Sequence, residues 1–340
     1  MEPRRDPRLI AVSDDPFNAE TPLSQQVGVI TPAPLHYVRS HFPIPRWDRL
    51  VVDGLVEHPL SLGIEDVLAM PSRSLVVTLE CAGNGRQFLD PPVAGEQWGL
   101  GAVGTAEWTG VELRHIVGLA RLDPRATEIV FAGADHGVAA GRRLAYERSL
   151  PVDEALDDDV LVAFGMNGEP LPADHGAPLR LVVPGSYGMA SVKWVARIGA
   201  VDRPFRGHFQ ADRYIIDGKP LPPVAPRAVI TSPADGAVVS GHIVVRGYCW
   251  SGGSPVARVE LSSDGGRTWS DAEVQPPVSP YAWRRWSAEW SPRGPGDAVL
   301  VARAWTRDGG AQPMKQRATG HLGYMNNAAQ PITVKVGAAT

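Results

Sequence analysis

Residues 79–86 read Leu-Glu-Cys-Ala-Gly-Asn-Gly-Arg and follow the apolar run Ser74-Leu75-Val76-Val77-Thr78. A cysteine at the end of a buried strand can simply be a packed core thiol. Its neighbours open chemical alternatives. Gly83 and Gly85 let backbone approach a ligand closely, and Arg86 brings a fixed positive charge. A tyrosine-phosphatase loop needs one residue more between Cys and Arg than the four present, Ala82 to Gly85, so the spacing excludes it. A papain-like nucleophile needs a histidine with an orienting Asn or Asp, and His136 and His175 lie in no protease motif. A single thiolate makes no zinc site, and the chain has no HExxH or Cys/His cluster. One thiolate suffices where an organic cofactor brings its own sulfurs: a soft metal on a dithiolene needs one protein thiolate and a socket for the cofactor's polar tail.

The elements that must position these residues follow from composition and periodicity. The chain has 340 residues, enough for two domains with sizeable cores. Its 36 Gly and 32 Pro point to many turns and short strands and argue against a helical bundle. The net charge of −4, without a basic block, argues against nucleic acid as a partner. Two cysteines form no disulfide framework and suit a cytoplasmic setting. Arg4-Arg5 has no apolar stretch behind it and gives no export signal. No apolar run reaches the ~18 residues of a membrane helix.

Residues 1–24 are polar and Pro-rich and read as an extended arm. Within 25–222, strands are expected at 49–56, 75–80, 128–132, 160–166, 180–183 and 192–201, and helices at 64–69 and 113–120. Helices and strands do not alternate strictly, which excludes a doubly wound parallel sheet. The stretch 217–236 is rich in proline and reads as a stiff linker. Strands then follow at 238–247, 257–262, 283–290, 298–308 and 332–336, separated by turn signals such as Asp264-Gly265-Gly266. The expected fold is therefore α+β: mixed sheets over 25–222, then an immunoglobulin-like β-sandwich over 223–340. Ser262 to Trp269 fits the Asp-box of sialidases, but it occurs once and reads as a structural turn, not a glycosidase signature. Asp157-Asp158-Asp159 reads as a solvated turn.

The segment 80–86, with Tyr37-Val38-Arg39-Ser40-His41, the run NGEPLPADHGAPLRLVVPG at 167–185 and Val192-Lys193-Trp194, closely resembles the sulfite oxidase family of molybdopterin-dependent oxidoreductases. The resemblance runs from about residue 27 to the C-terminus, in the family's order. It implies a molybdenum-only enzyme, since no CxxCH or cytochrome b5-like segment is present, and a C-terminal dimerisation domain, hence a homodimer. It implies molybdenum and molybdopterin as cofactors, with Cys81 as the one protein ligand of the metal. A low-pKa thiolate is expected there beside Arg and metal. The resemblance assigns Tyr37, Val38, Arg39, Ser40 and His41, then Asp135, His175 and Arg180, then Ala190, Ser191, Val192 and Lys193, to the cofactor socket. Arg39 and Arg86 match two arginines of the oxyanion pocket, Trp98 its tryptophan and Tyr214 its tyrosine.

The implied reaction is oxidation of sulfite to sulfate by oxygen-atom transfer, with electrons passing to a separate acceptor: a cytochrome, oxygen or a partner subunit. One departure bears on substrate. Leu322, in HLGYMNN, stands where animal and plant sulfite oxidases have a further arginine. Nitrate, another oxyanion or an S-oxide is the alternative substrate. A non-catalytic binding protein on the same fold is the alternative of a different class, and retention of Cys81, Arg39, Arg86 and Tyr214 argues against it.

Overall fold

The computed structural model describes residues 5–315 and 322–337. Two five-stranded sheets carry the first part of the chain. One orders Glu169–Pro170, Leu161–Met166, Val103–Glu112 and Arg73–Glu80, and Arg180–Val182 pairs with Leu161–Met166. The other orders Leu60–Leu62, Leu50–Gly54, Val195–Val201, Glu128–Ala139 and Arg142–Pro151. It is mixed, because Val195–Val201 runs parallel to Leu50–Gly54 and antiparallel to Glu128–Ala139. Val52, Ile129, Phe131 and Ile198 of this sheet meet Val111, Val162 and Leu181 of the first in one core. The other face of the first sheet buries Val77, Leu79, Ala106 and Trp108 in a second core that also holds Cys81. Strand alternation puts residues of one strand into both cores. Helix Leu113–Ala120 buries Leu113, Ile116, Val117 and Ala120, the spacing of one helical face.

The last part is a β-sandwich of eight strands linked edge to edge. Ala228, Val245 and Trp286 on one side enclose a core with Val259, Leu261, Leu300 and Val334 on the other. Cys249 is fully buried in this core, which pushes its thiol up to about 12. The Asp-box is the expected turn: Asp264 Oδ1 accepts from the backbone N–H of Arg267 and Thr268, both at 2.9 Å.

Three features depart from the sequence reading. The N-terminal segment is not simply extended. Ile10–Asp14 and Phe17–Glu20 form a hairpin that turns at Asp15-Pro16 and buries Asn18 and Ala19. Ala19 then bridges Val38, so the hairpin braces the start of the site. The proline-rich stretch is mostly structured. Asp217 and Gly218, at φ 52° and 73°, turn a short hairpin of Ile215–Ile216 with Lys219–Pro220. Arg227–Ser232 is a strand of the sandwich, flanked by Pro226 and Pro233, which bound it without interrupting its ladder. Finally, the aspartate turn is exposed at Asp157 and Asp158, as expected, but anchored at Asp159, which pairs with Arg73 at 2.7 Å and accepts from the Tyr281 hydroxyl at 2.8 Å.

Candidate active site

Cys81 leaves the end of strand Arg73–Glu80 on a loop with little freedom. Its N–H donates to the Ala102 carbonyl at 2.9 Å, and its own carbonyl accepts from Asn84 N–H at 2.9 Å. The Asn84 side chain donates to Glu80 at 2.9 Å and accepts from Ala102 N–H at 3.2 Å. Gly85 sits at φ 84°, where a side chain would be strained. At Gly83 a side chain would instead displace Arg86. A Cβ there would lie 2.5 Å from the Arg86 guanidinium, which folds back over the loop.

A segment of the far domain closes this loop from the other side. Arg86 Nε donates to the Leu322 carbonyl at 3.0 Å. Met325 N–H donates to the Ala82 carbonyl at 2.8 Å, and Asn326 Nδ2 to the Gly85 carbonyl at 2.7 Å. Behind the loop, Glu80 is held by Arg227 Nε at 3.0 Å and by Trp250 Nε1 at 2.8 Å. Both side chains of the Glu80–Arg227 pair are almost fully buried.

Two cavities meet at Cys81. The first is lined by His36, Tyr37, Arg39, Ser40, His41, Asp135, Tyr146, His175, Arg180, Ser191, Lys193 and Tyr214 together with Cys81. Asp135 reaches it from a bulge in strand Glu128–Ala139, where the register with Arg142–Pro151 shifts. Lys193 donates to Ser40 Oγ at 2.7 Å and to the Asp174 carbonyl at 2.8 Å. Arg180 donates to the carbonyls of His175 at 3.1 Å and Ser191 at 3.3 Å. Burial pushes the Asp135 carboxyl up and the Lys193 ammonium down. It also holds His41 and His175 well below the usual imidazole range, so both rings are neutral at pH 7.

The second cavity is lined by Arg39, Arg86, Glu96, Trp98, Arg213, Tyr214, Leu322 and Tyr324 with Cys81. Arg39 pairs with the Glu96 carboxylate at 3.2 Å, and Arg86 donates to the Glu96 carbonyl at 2.7 Å. Tyr214 adopts φ 56°, and its hydroxyl shares a hydrogen bond with His41 Nε2 at 2.8 Å. Its ring stacks on Tyr324 with centroids 5.0 Å apart.

The structure thus brings Cys81, Tyr37, Arg39, Ser40, His41, Asp135, His175, Arg180, Ser191 and Lys193 to one cavity, and Arg86, Trp98 and Tyr214 to the adjoining one. Val38, Ala190 and Val192 are buried but line neither, and Val38 instead pairs its backbone with Ala19. The expectation of a low-pKa thiol is not met by the protein atoms alone. Burial raises Cys81 more than Arg39 and Arg86 lower it. A metal cation at this position would supply the further stabilisation a thiolate needs. Sequence reasoning passed over His36, Glu96, Tyr146, Arg213 and Tyr324, which reach the cavities from separate loops and strands.

The residues fit a polar cofactor with one soft-metal ligand. Asp135 Oδ1 and His36 Nε2 are buried without a hydrogen-bond partner, which a bound polar group would satisfy. Among the described residues, no group of three His, Cys, Asp or Glu could hold a metal by itself.

Comparison with known proteins agrees. Residues 41–209 match the oxidoreductase molybdopterin binding domain, and residues 223–337 the Mo-co oxidoreductase dimerisation domain. The chain is 36% identical to mitochondrial sulfite oxidase of Mus musculus over 98% of its own length and 67% of that protein's. It is 34% identical to sulfite oxidase of Gallus gallus, over 92% of this chain and 74% of that protein. A nitrate reductase [NADH] of Petunia hybrida is 35% identical, over 92% of this chain and 39% of that protein. Among solved structures, the sulfane dehydrogenase SoxCD from Paracoccus pantotrophus superposes with a TM-score of 0.83 at 31% identity, covering 94% of this chain and 85% of that one.

Proposed function

This chain belongs to the sulfite oxidase family of molybdopterin-dependent oxidoreductases, and from that premise we propose that it oxidises sulfite to sulfate at a molybdenum centre held by Cys81. The observation that carries the reading is the position of Cys81 at the junction of a cavity lined by many polar side chains and an arginine-lined one. The first cavity would take molybdopterin: Asp135, His36 and Ser191 would hold its polar groups, and Lys193 and Arg180 would supply positive charge for its phosphate. When bound, the molybdenum cofactor supplies oxygen-atom transfer and accepts two electrons from substrate.

The chain's own residues bind, orient and exclude. Arg39 and Arg86 place the anion beside Cys81, as guanidinium forks suit oxyanions. Trp98 Nε1 is buried without a partner and offers a further donor. The Tyr214 hydroxyl, oriented by neutral His41, fixes the remaining wall. Burial holds Tyr214 well above the usual phenol range, so it remains a donor. In this reading residues 25–222 form the catalytic domain and 223–340 pair two copies into a homodimer. Electrons leave to a separate acceptor. Cys81 and Cys249 are both free thiols, which suits the cytoplasm. Among the described residues no helix is long and apolar enough to cross a membrane.

Nitrate is the second reading, favoured by Leu322 in the anion pocket and by the nitrate reductase relatives. Metal analysis of the purified protein is expected to give stoichiometric molybdenum, and sulfite is expected to drive ferricyanide reduction. Cys81→Ser is expected to abolish that reduction while the circular dichroism spectrum stays unchanged. A folded protein devoid of molybdenum overturns the enzyme reading in favour of a binding protein. Turnover of nitrate without sulfite transfers the assignment to the second substrate.

A further inference from the structure

Charge in the anion pocket is unevenly committed. Of the three guanidiniums that line it, Arg39 is neutralised by Glu96 at 3.2 Å. Arg86 spends Nε on the Leu322 carbonyl and Nη1 on the Glu96 carbonyl. Arg213 differs from both. Its Nε is buried without a hydrogen-bond partner and, as for Arg86, no carboxylate pairs with it among the described residues. Arg213 is only partly buried, but a buried donor nitrogen left unsatisfied is costly unless something completes it.

Local backbone geometry explains how Arg213 reaches the pocket. It is extended, at φ −123° and ψ 158°, and follows the π-helical turn His208–Asp212. In continuous extended chain the next side chain would point the opposite way. Tyr214 instead takes φ 56°, and both side chains line the cavity that holds Cys81. Leu322 lines the same cavity and offers no charge there.

We infer that Arg213 is a substrate-binding and specificity-determining residue: the second uncompensated cation, beside Arg86, that lets this pocket hold a doubly charged tetrahedral or pyramidal oxyanion despite Leu322. The Arg39 charge is offset by Glu96, so Arg86 alone leaves one net positive charge where a dianion carries two negative ones. A planar monoanion such as nitrate needs less. This inference rests on the oxyanion reading of the site, so its test reads binding separately from turnover.

Sulfate and nitrate are titrated calorimetrically into the purified holoenzyme and its variants. Arg213→Met is expected to weaken sulfate about 10- to 100-fold, the loss of one charge-assisted donor, and nitrate less than about threefold. Arg213→Lys, which retains the charge, is expected to keep most of the sulfate affinity. Adding Leu322→Arg to Arg213→Met is expected to restore it, since the charge returns to the same cavity. In steady state, Arg213→Met is expected to raise KM for sulfite far more than it lowers kcat, a split that a merely structural role would not give. If Arg213→Met, folded by circular dichroism, binds sulfate as the wild type does, or if the wild type binds no sulfate, the inference is overturned. If sulfate binding depends on Arg213 but sulfite is not oxidised, the inference stands and the proposed reaction is what fails.

Discussion

Glu96 touches two of the arginines of the anion pocket. Its carboxylate neutralises Arg39 and its carbonyl takes a donor of Arg86, so one residue restrains both arginines that face Cys81. Replacing Glu96 with Gln removes the like charge and keeps the backbone bond. The expected outcome is a KM for sulfite lowered about 3- to 10-fold, read in the ferricyanide assay at low ionic strength, where the effect is least screened. The effect should shrink as salt is added. Glu96 was not legible in the sequence, because nothing within Ala94-Gly95-Glu96 signals a ligand; its role arises from how the loop folds back. Cys81, Arg86 and the run 37–41 were legible because their chemistry is concentrated in short contiguous motifs. Arg213 lies beside Tyr214 in sequence, yet only the left-handed backbone of Tyr214 shows that both face one cavity.

At the scale of elements, strand Arg227–Ser232 contributes more than an edge to the sandwich. Arg227 crosses to Glu80, the residue before Cys81, and also donates to the carbonyls of Asn84 and Asn326. This ties one strand of the sandwich to the Cys81 loop on both sides of the cysteine. Arg227→Met leaves a buried carboxylate unpaired and is expected to destabilise the protein by about 3–5 kcal/mol, measured by urea unfolding. Arg227→Met with Glu80→Gln removes both charges and is expected to recover part of that loss, as a double-mutant cycle will show. The element itself was hidden in the sequence by flanking prolines, which made a short strand look like linker. Strands Val103–Glu112 and Arg142–Pro151 were missed for other reasons. The first carries Gly104 and Gly110, and the second carries Arg142, Arg143, Glu147 and Arg148 among its apolar residues. Helix Leu113–Ala120 was found with its limits because one face carries its buried residues at clean helical spacing.

Across the whole molecule, the two parts of the chain share a core. Tyr248, Trp250 and Trp283 of the sandwich pack in the same cluster as Val52, Phe131 and Ile198. The Tyr248 hydroxyl donates to the carbonyls of Gln26 and Gly28. The Trp283 backbone N–H donates to Thr78 Oγ1 at 2.7 Å. A fragment of residues 1–222 loses these partners and exposes the surfaces they cover. It is expected to lack the near-ultraviolet dichroism and the cooperative melting of the full chain, whereas two independent domains would each retain both. The same interlock has a consequence in time. Arg86 and the carbonyl that fixes its Nε, on Leu322, are separated by 236 positions in the sequence. A ribosome adding about 5–20 residues each second takes roughly 12–47 s to travel from one to the other. For that interval of every round of synthesis, the loop around Cys81 exists without the segment that finally braces it.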